Sequence, residues 1–394
     1  MTTTVNNEHK NIKVPNLRFP EFQGEWEKTK FGDIAIVVGG GTPDTKTSQY
    51  WNGRIQWFTP SEIGRNKYVY NSVRTISEEG LNKSNAKLLP IGTILLSSRA
   101  TVGECSINKK ECTTNQGFQS LIPKENISNE FIYYLIQTKR KDLIRKSCGS
   151  TFLEISANEV RKIVVSIPTI KEQDKIAKLL SLLDERIATQ NKIIEDLKKL
   201  KSATIEKLYS EIQGKEYSYR QLFDVVNERN KQMEYSNILS ASQEKGMINR
   251  DDLNLDIQFE RSNINTYKIV RAGDYVIHLR SFQGGFAFSD KSGVCSPAYT
   301  ILRPNSFLEY SYLSNYFTSQ RFIKSLIIVT YGIRDGRSIN VDEWLSMKIT
   351  IPSKEHQQHI VKMIGSFDRK IESEEAYTIH LSKQKQYILR QMFI

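Results

Sequence analysis

The chain has 394 residues, 39% of them hydrophobic and 25% charged, which excludes wholesale disorder and is too long for one ordinary domain. It is basic, with 56 Lys+Arg against 44 Asp+Glu and a net charge of +12, so a polyanionic partner is expected. No apolar run reaches the roughly 18 residues needed to cross a bilayer, the first residues lack a signal peptide's apolar core, and four scattered cysteines without a CxxC pair predict reduced thiols in a cytoplasmic protein.

In chain order, the first 165 residues read as a globular unit. Short β-rich runs are predicted at 34–38 and 91–97, a turn cluster at Gly39-Gly40-Gly41-Thr42-Pro43, and a helix over 131–146. Pro168 then precedes a stretch, 171–210, that contains neither Gly nor Pro. Its apolar residues Ile176, Leu179, Leu183, Ile187, Ile194, Leu197 and Leu208 step mostly by three or four, which predicts a long helix with a narrow apolar seam. A second globular unit follows, with β-rich runs at 275–279 and 348–351 and a helix over 310–328. It is followed by Pro352 and a second seam: Ile360, Met363, Phe367, Ile371, Leu381, Ile388 and Met392.

The two halves are repeats. Residues 167–187 align without a gap on 351–371, placing Pro168 on Pro352, Gln173 on Gln357, Ile176 on Ile360, Asp184 on Asp368 and Ile187 on Ile371. LPIGTILLSSRA at 89–100 resembles VRAGDYVIHLRS at 270–281, with an Arg seven residues after the Gly in each, and FGDIA at 31 resembles LFDVV at 222. Helices of some 40 residues would each run about 60 Å and cannot bury their seams alone. The expectation is therefore a mixed α/β (α+β) chain with two globular domains separated by two long helices packed as an antiparallel coiled coil, with pseudo-two-fold symmetry. The expected domains are 1–165, 166–212 (first helix), 213–350 and 351–394 (second helix).

Catalytic motifs are missing from the sequence. There is no GxxxxGK[ST], no GxGxxG after a strand, no [DNS]PP[YFW] for an amino-methyltransferase and no HExxH. His356 and His359 are read as solvated surface rather than metal ligands, and Pro43-Asp44-Thr45-Lys46 lacks the partner acid and second lysine of a nuclease site. No catalytic and no metal-binding residue is assigned. The chain reads as a binder and organiser.

The order of units resembles the DNA-specificity subunit of a type I restriction–modification system over nearly the whole chain. The resemblance is carried by Gly40-Gly41-Thr42-Pro43, Tyr50-Trp51-Asn52-Gly53, Ile55-Gln56-Trp57 with Thr59-Pro60-Ser61, Ile91-Gly92-Thr93 through Leu96-Ser97-Ser98-Arg99, Thr114-Asn115-Gln116-Gly117, Gly149-Ser150-Thr151-Phe152 and Glu172-Gln173. The second copy departs, with His356-Gln357 and no GGTP or NQG phrase. The resemblance implies a non-catalytic subunit in which two target-recognition domains read a bipartite double-stranded DNA target across an unread spacer. The partners it implies are two methylation subunits, joined by restriction/translocation subunits, and no membrane. This chain would hold no cofactor, while the partners would use S-adenosylmethionine, ATP and Mg.

Residues 1–165 carry 23 basic and 16 acidic side chains, most of the net charge, whereas 211–352 carry 17 and 16. Base edges are read by Arg, Asn, Gln, Ser and Thr from loops. The candidates are Thr42, Ser98, Arg99, Thr101, Asn115 and Gln116 in the first unit, and Arg280, Ser281, Gln283, Arg334 and Arg337 in the second. Arg99 and Arg280 could instead anchor strand ends, and Gly39–Gly41 could be a plain turn. Trp51, Trp57 and Trp344 are expected in the core. Two other functions stay open: a coiled-coil scaffold for protein partners, and a DNA-binding regulator independent of restriction–modification.

Overall fold

In the computed structural model, the described residues are 14–149, 153–242, 245–252, 261–278, 285–331 and 338–394. They form two compact units: the chain up to Gln190 together with Tyr377–Ile394, and Asn191–Ala376. The division cuts across both long helices, Ile170–Ser210 and Lys354–Met392, so each unit holds one globular part and one segment of each helix.

The first unit centres on a five-stranded sheet in the order Ala35–Gly39, Gln119–Pro123, Ile94–Leu96, Cys105–Asn108, Tyr68–Val69. Its last pairing is parallel and the others are antiparallel. The helix Asn129–Thr138 covers the sheet and buries Phe131–Ile136. Its core joins Phe31, Leu96, Ile107, Leu121 and Phe131 to Ile176 and Leu180 of the first long helix and to Met392 and Phe393 of the chain end. A second, three-stranded sheet is ordered Arg74–Ile76, Trp51–Phe58, Cys112–Thr114.

The second unit repeats the frame. Phe223–Val226, Thr300–Pro304, Tyr275–Ile277 and Phe286–Phe288 occur in the same sheet order as the first four strands of unit one. The register also repeats: Ile94 pairs with Leu121 and Ile107, and 181 residues later Tyr275 pairs with Leu302 and Phe288. Gly92 and Gly273 introduce the equivalent strands with φ of 86° and 99°, a left-handed conformation that favours glycine. Around this sheet the core is aromatic: Trp344 stacks on Tyr219 at 4.2 Å between ring centroids, and Phe223, Phe286 and Phe317 surround them. Trp344 is fully buried, as expected.

Both units close with an antiparallel strand pair, Glu27–Lys30 with Val164–Ile167 and Lys215–Ser218 with Lys348–Ile351. The long helices start just beyond these pairs, after Pro168 and Pro352. Within each unit the helix segments run antiparallel. In the first, Lys385 pairs with Asp184 at 2.6 Å and Ile176 shares a core with Met392 and Phe393. In the second, Lys198 pairs with Glu375 at 2.6 Å and Lys201 with Asp368 at 2.5 Å.

Gln173 and Gln357, equated by the repeat, make the same clamp. Buried Gln173 accepts from the Ser128 amide at 2.9 Å and donates to the Pro168 carbonyl at 2.9 Å. Buried Gln357 accepts from the Glu309 amide at 2.7 Å and donates to the Pro352 and Phe307 carbonyls, both at 3.0 Å. Each ties the first turn of a long helix to its globular domain. The preceding residues differ for a physical reason. Glu172 is buried and held by Arg18 (2.8 Å from each oxygen) and by the Trp26 indole at 3.3 Å, whereas His356 is exposed.

Three local expectations change. Phe31–Ile34 is a helical turn matched by Tyr219–Leu222, so Phe31 corresponds to Tyr219 and not to Leu222. The predicted helix 131–146 is two helices, Asn129–Thr138 and Arg140–Arg145. The predicted helix 310–328 is mostly turns and 3-10 segments around the short helix Gln320–Ser325, with Ser311 at φ 61° breaking its start.

Candidate nucleic-acid interface

In the first unit, four loops meet at one end of the two sheets. The first follows the strand Ala35–Gly39. Its Gly41 amide donates to the Thr114 carbonyl at 2.9 Å. A Cβ at Gly40 would lie 2.0 Å from the Asn115 carbonyl oxygen, so only glycine allows this approach. Further along this loop, Asp44 accepts from the Lys46 amide at 3.1 Å and the Thr47 hydroxyl at 2.8 Å, and both bonds hold its carboxyl below the usual range. Trp51 and Trp57 lie edge to face at 5.0 Å. Their indoles donate to the Asp44 carbonyl at 3.0 Å and the Gly41 carbonyl at 2.9 Å. Both tryptophans are buried, as expected, and they brace the loop.

The second loop carries Asn115 and Gln116. Thr42 donates its hydroxyl to the Gln116 side-chain oxygen, joining two candidate residues. Asn115 accepts from the Gly117 amide at 2.8 Å, so its carboxamide shapes the turn. The third loop is the hairpin end closed by the Ser97 amide on the Glu104 carbonyl at 2.8 Å. It presents Arg99 and exposed Thr101, with Ala100 at φ 55°. Arg99 makes a 2.8 Å ion pair with Glu154, and the side chains are 43% and 41% exposed. Ser98 is different. It is fully buried, its amide donates to the Gly117 carbonyl at 2.8 Å and its carbonyl accepts from the Ile155 amide at 3.1 Å. It seats the loop and has no surface to offer a base edge.

A fourth loop, 70–74, carries no sequence motif and is held by a turn. The Thr59–Glu62 turn sits against Gly117, where an added Cβ would lie 2.9 Å from Pro60, and its Glu62 carboxylate accepts from the Val73 amide at 2.7 Å. Arg74 lies over the Trp51 ring, 3.6 Å from its centroid. No motif marks these residues; strand pairing brings them beside the tryptophans.

In the second unit the equivalent hairpin is closed by the same rung, the His278 amide on the Gly285 carbonyl at 2.8 Å. Arg280, Ser281 and Gln283, and likewise Arg334 and Arg337, lie outside the described residues. Among the described residues no group of three His, Cys, Asp or Glu is placed to hold a metal, and His356 and His359 are exposed.

Comparisons with known proteins bear on this arrangement. Residues 23–199 and 214–382 match the family described as Type I restriction modification DNA specificity domain. The chain is 40% identical over 180 residues to the type I restriction enzyme MjaIX specificity subunit of Methanocaldococcus jannaschii, covering 45% of this chain and 42% of that one. It is 31% identical over 175 residues to the EcoR124I/EcoR124II specificity subunit of Escherichia coli, covering 43% of each. The matched region thus spans about two fifths of the length of these two relatives. A longer alignment, at 24% identity, takes in 96% of this chain and 93% of the M. jannaschii MjaVIII specificity subunit. Among solved structures, the type I restriction–modification S subunit from M. genitalium matches with a TM-score of 0.53 at 16% identity, covering 97% of this chain and 99% of that one. A chain from a study of complex assembly in the type I R-M system matches at 0.63 and 14% identity, covering 92% and 96%. These last likenesses are of fold. With the family's domain matched twice across most of its length, the chain belongs to the type I restriction–modification DNA specificity family.

Proposed function

We propose that this chain is the sequence-reading subunit of a type I restriction–modification complex. It binds double-stranded DNA at a bipartite target, each globular unit reading one part, and it recruits two methylation subunits, with restriction/translocation subunits joining the full complex. The chain holds no catalytic residue or cofactor of its own. S-adenosylmethionine, ATP and Mg belong to its partners, and it acts in the cytoplasm. The observation that carries this reading is the repeated frame. The same sheet order and register occur twice, and beyond the equivalent strands each copy has the same closing rung, Ser97 to Glu104 and His278 to Gly285. In sequence, each hairpin places an Arg seven residues after the left-handed Gly, Arg99 after Gly92 and Arg280 after Gly273. Two frames closed by the same rung suit two short readings separated by unread base pairs. The concentration of positive charge in the first unit suits a phosphate backbone. The test is methyl transfer to DNA by the purified chain, alone and with a type I methylation subunit. The expected result is adenine methylation only with the partner, and DNA affinity that falls steeply with salt. Methyl transfer by the chain alone, or partner binding with no salt-dependent DNA affinity, would overturn the proposal.

A further inference from the structure

The loop 70–74 of the first unit is built with more polar machinery than a surface turn needs. The Ser72 amide donates to the Gln56 side-chain oxygen at 2.7 Å, and the Ser72 hydroxyl accepts from the Trp57 amide at 2.9 Å and donates to the Arg74 carbonyl at 2.6 Å. The Val73 amide donates to one Glu62 oxygen at 2.7 Å, while the other accepts from the Thr59 amide at 2.7 Å and the Thr59 hydroxyl at 2.6 Å. Both residues are locked, and the side chain so held is a valine that is 88% exposed. A single exposed valine is ordinary. One whose backbone is clamped by a glutamate and flanked by a glutamine clamp is displayed.

Its neighbour is displayed as well. The Arg74 guanidinium lies 3.6 Å from the Trp51 ring centroid and 5.4 Å from that of Trp57. Arg74 is exposed and makes no ion pair among the described residues. A guanidinium stacked by one face keeps its N–H edge free, in the fork geometry that matches the O6 and N7 of guanine. The ring it rests on is tied to the Asp44 carbonyl, so the pad continues into the loop that carries Thr42. An apolar side chain beside a fixed Arg fork suits a base step that offers a thymine methyl beside a guanine edge.

We propose that Val73 and Arg74 form a base-reading pair for the part of the target read by the first unit. Arg74 hydrogen-bonds a guanine edge in the major groove, and Val73 packs on the methyl of a neighbouring thymine. This rests on the proposal that the chain reads DNA.

The experiment uses the chain with its methylation partner and a library of randomised targets. Variants are Arg74→Lys, which keeps the charge but loses the planar fork, and Val73→Ser, whose exposed site makes folding insensitive to the change. Thermal melting checks both. Arg74→Lys should reduce discrimination for guanine at one position by about tenfold, with the rest of the target and the salt dependence unchanged. Val73→Ser should abolish the preference for thymine over uracil at the neighbouring position. In wild type, replacing that thymine by uracil should cost as much as the Val73→Ser change, and the two losses should not add. Unchanged position preferences in folded variants would overturn the pair. So would a uniform loss of affinity across all sequences with a shallower salt slope, which marks a phosphate contact. A wild-type complex with no sequence preference would instead overturn the DNA-reading function, and the pair with it.

Discussion

Arg99 shows what a residue's surroundings decide. It pairs with Glu154 across a backbone bridge, but both side chains are about two-fifths exposed, so the pair contributes no more than about 1 kcal/mol to stability. Arg99→Ala is therefore expected to melt near wild type. If Arg99 reads a base, the change costs about 1–3 kcal/mol of discrimination, confined to one part of the target. A melting loss without any change in target preference would make it an anchor. Cys148 offers a second probe, since it exchanges both backbone hydrogen bonds with Glu154 at 2.9 and 3.0 Å. Its thiol is exposed, whereas the other three are buried, and burial pushes Cys112 and Cys295 up to about 12 and raises Cys105 further. A maleimide should label Cys148 alone in the native chain. Bound target DNA should slow that labelling; an unchanged rate at saturation would place the DNA elsewhere. At this scale the sequence was partly legible. Thr42 and Gln116 meet and Arg99 is presented, but Ser98 is interior because its backbone bridges two neighbouring segments. Arg74 was invisible because its meaning comes from Trp51, on a strand brought beside it by pairing.

The elements were read best where periodicity is long. Pro168 and Pro352 and seams at steps of three and four point to two long helices, which form over Ile170–Ser210, a run free of Gly and Pro, and Lys354–Met392, which carries Gly365 in its interior. The repeat singled out Gln173 and Gln357, and their common clamp explains why one residue type serves both. Replacing either with Ala leaves a buried backbone donor and acceptor without partners, which should cost about 1–3 kcal/mol. Urea unfolding should show this for Gln173→Ala and Gln357→Ala alike; a cost near zero would mean water replaces the amide. The second unit's 310–318 segment was misread because its aromatic residues serve a packed cluster, in which Phe317 lies 5.4 Å from Tyr275, and not one helical face. If the long helices set the gap between the two readings, adding four residues near Ile187–Asn191 lengthens the helix by about 6 Å and turns it by about 400°. The seam then stays nearly in phase. The unread segment should grow by about one or two base pairs at 3.4 Å each, scored on a randomised-spacer library. A folded, active variant with the old spacing would free the helices of that role.

The molecule as a whole holds two globular parts built on the same sheet order, each followed by a long helix begun with the same clamp. Duplication makes the architecture legible, because equal spacing in sequence reappears as equal register in the sheets. The target is not legible, because the repeat fixes the frame while the sequences of the candidate loops differ between the copies. The most direct measurement is the set of adenines methylated in a random DNA library by the chain with its methylation subunit, for wild type, Arg99→Ala and Arg280→Ala. The account predicts one bipartite target with an unread gap of fixed length, relaxed by Arg99→Ala in one part only and by Arg280→Ala in the other only. A single uninterrupted target, or both variants relaxing the same part, would contradict it.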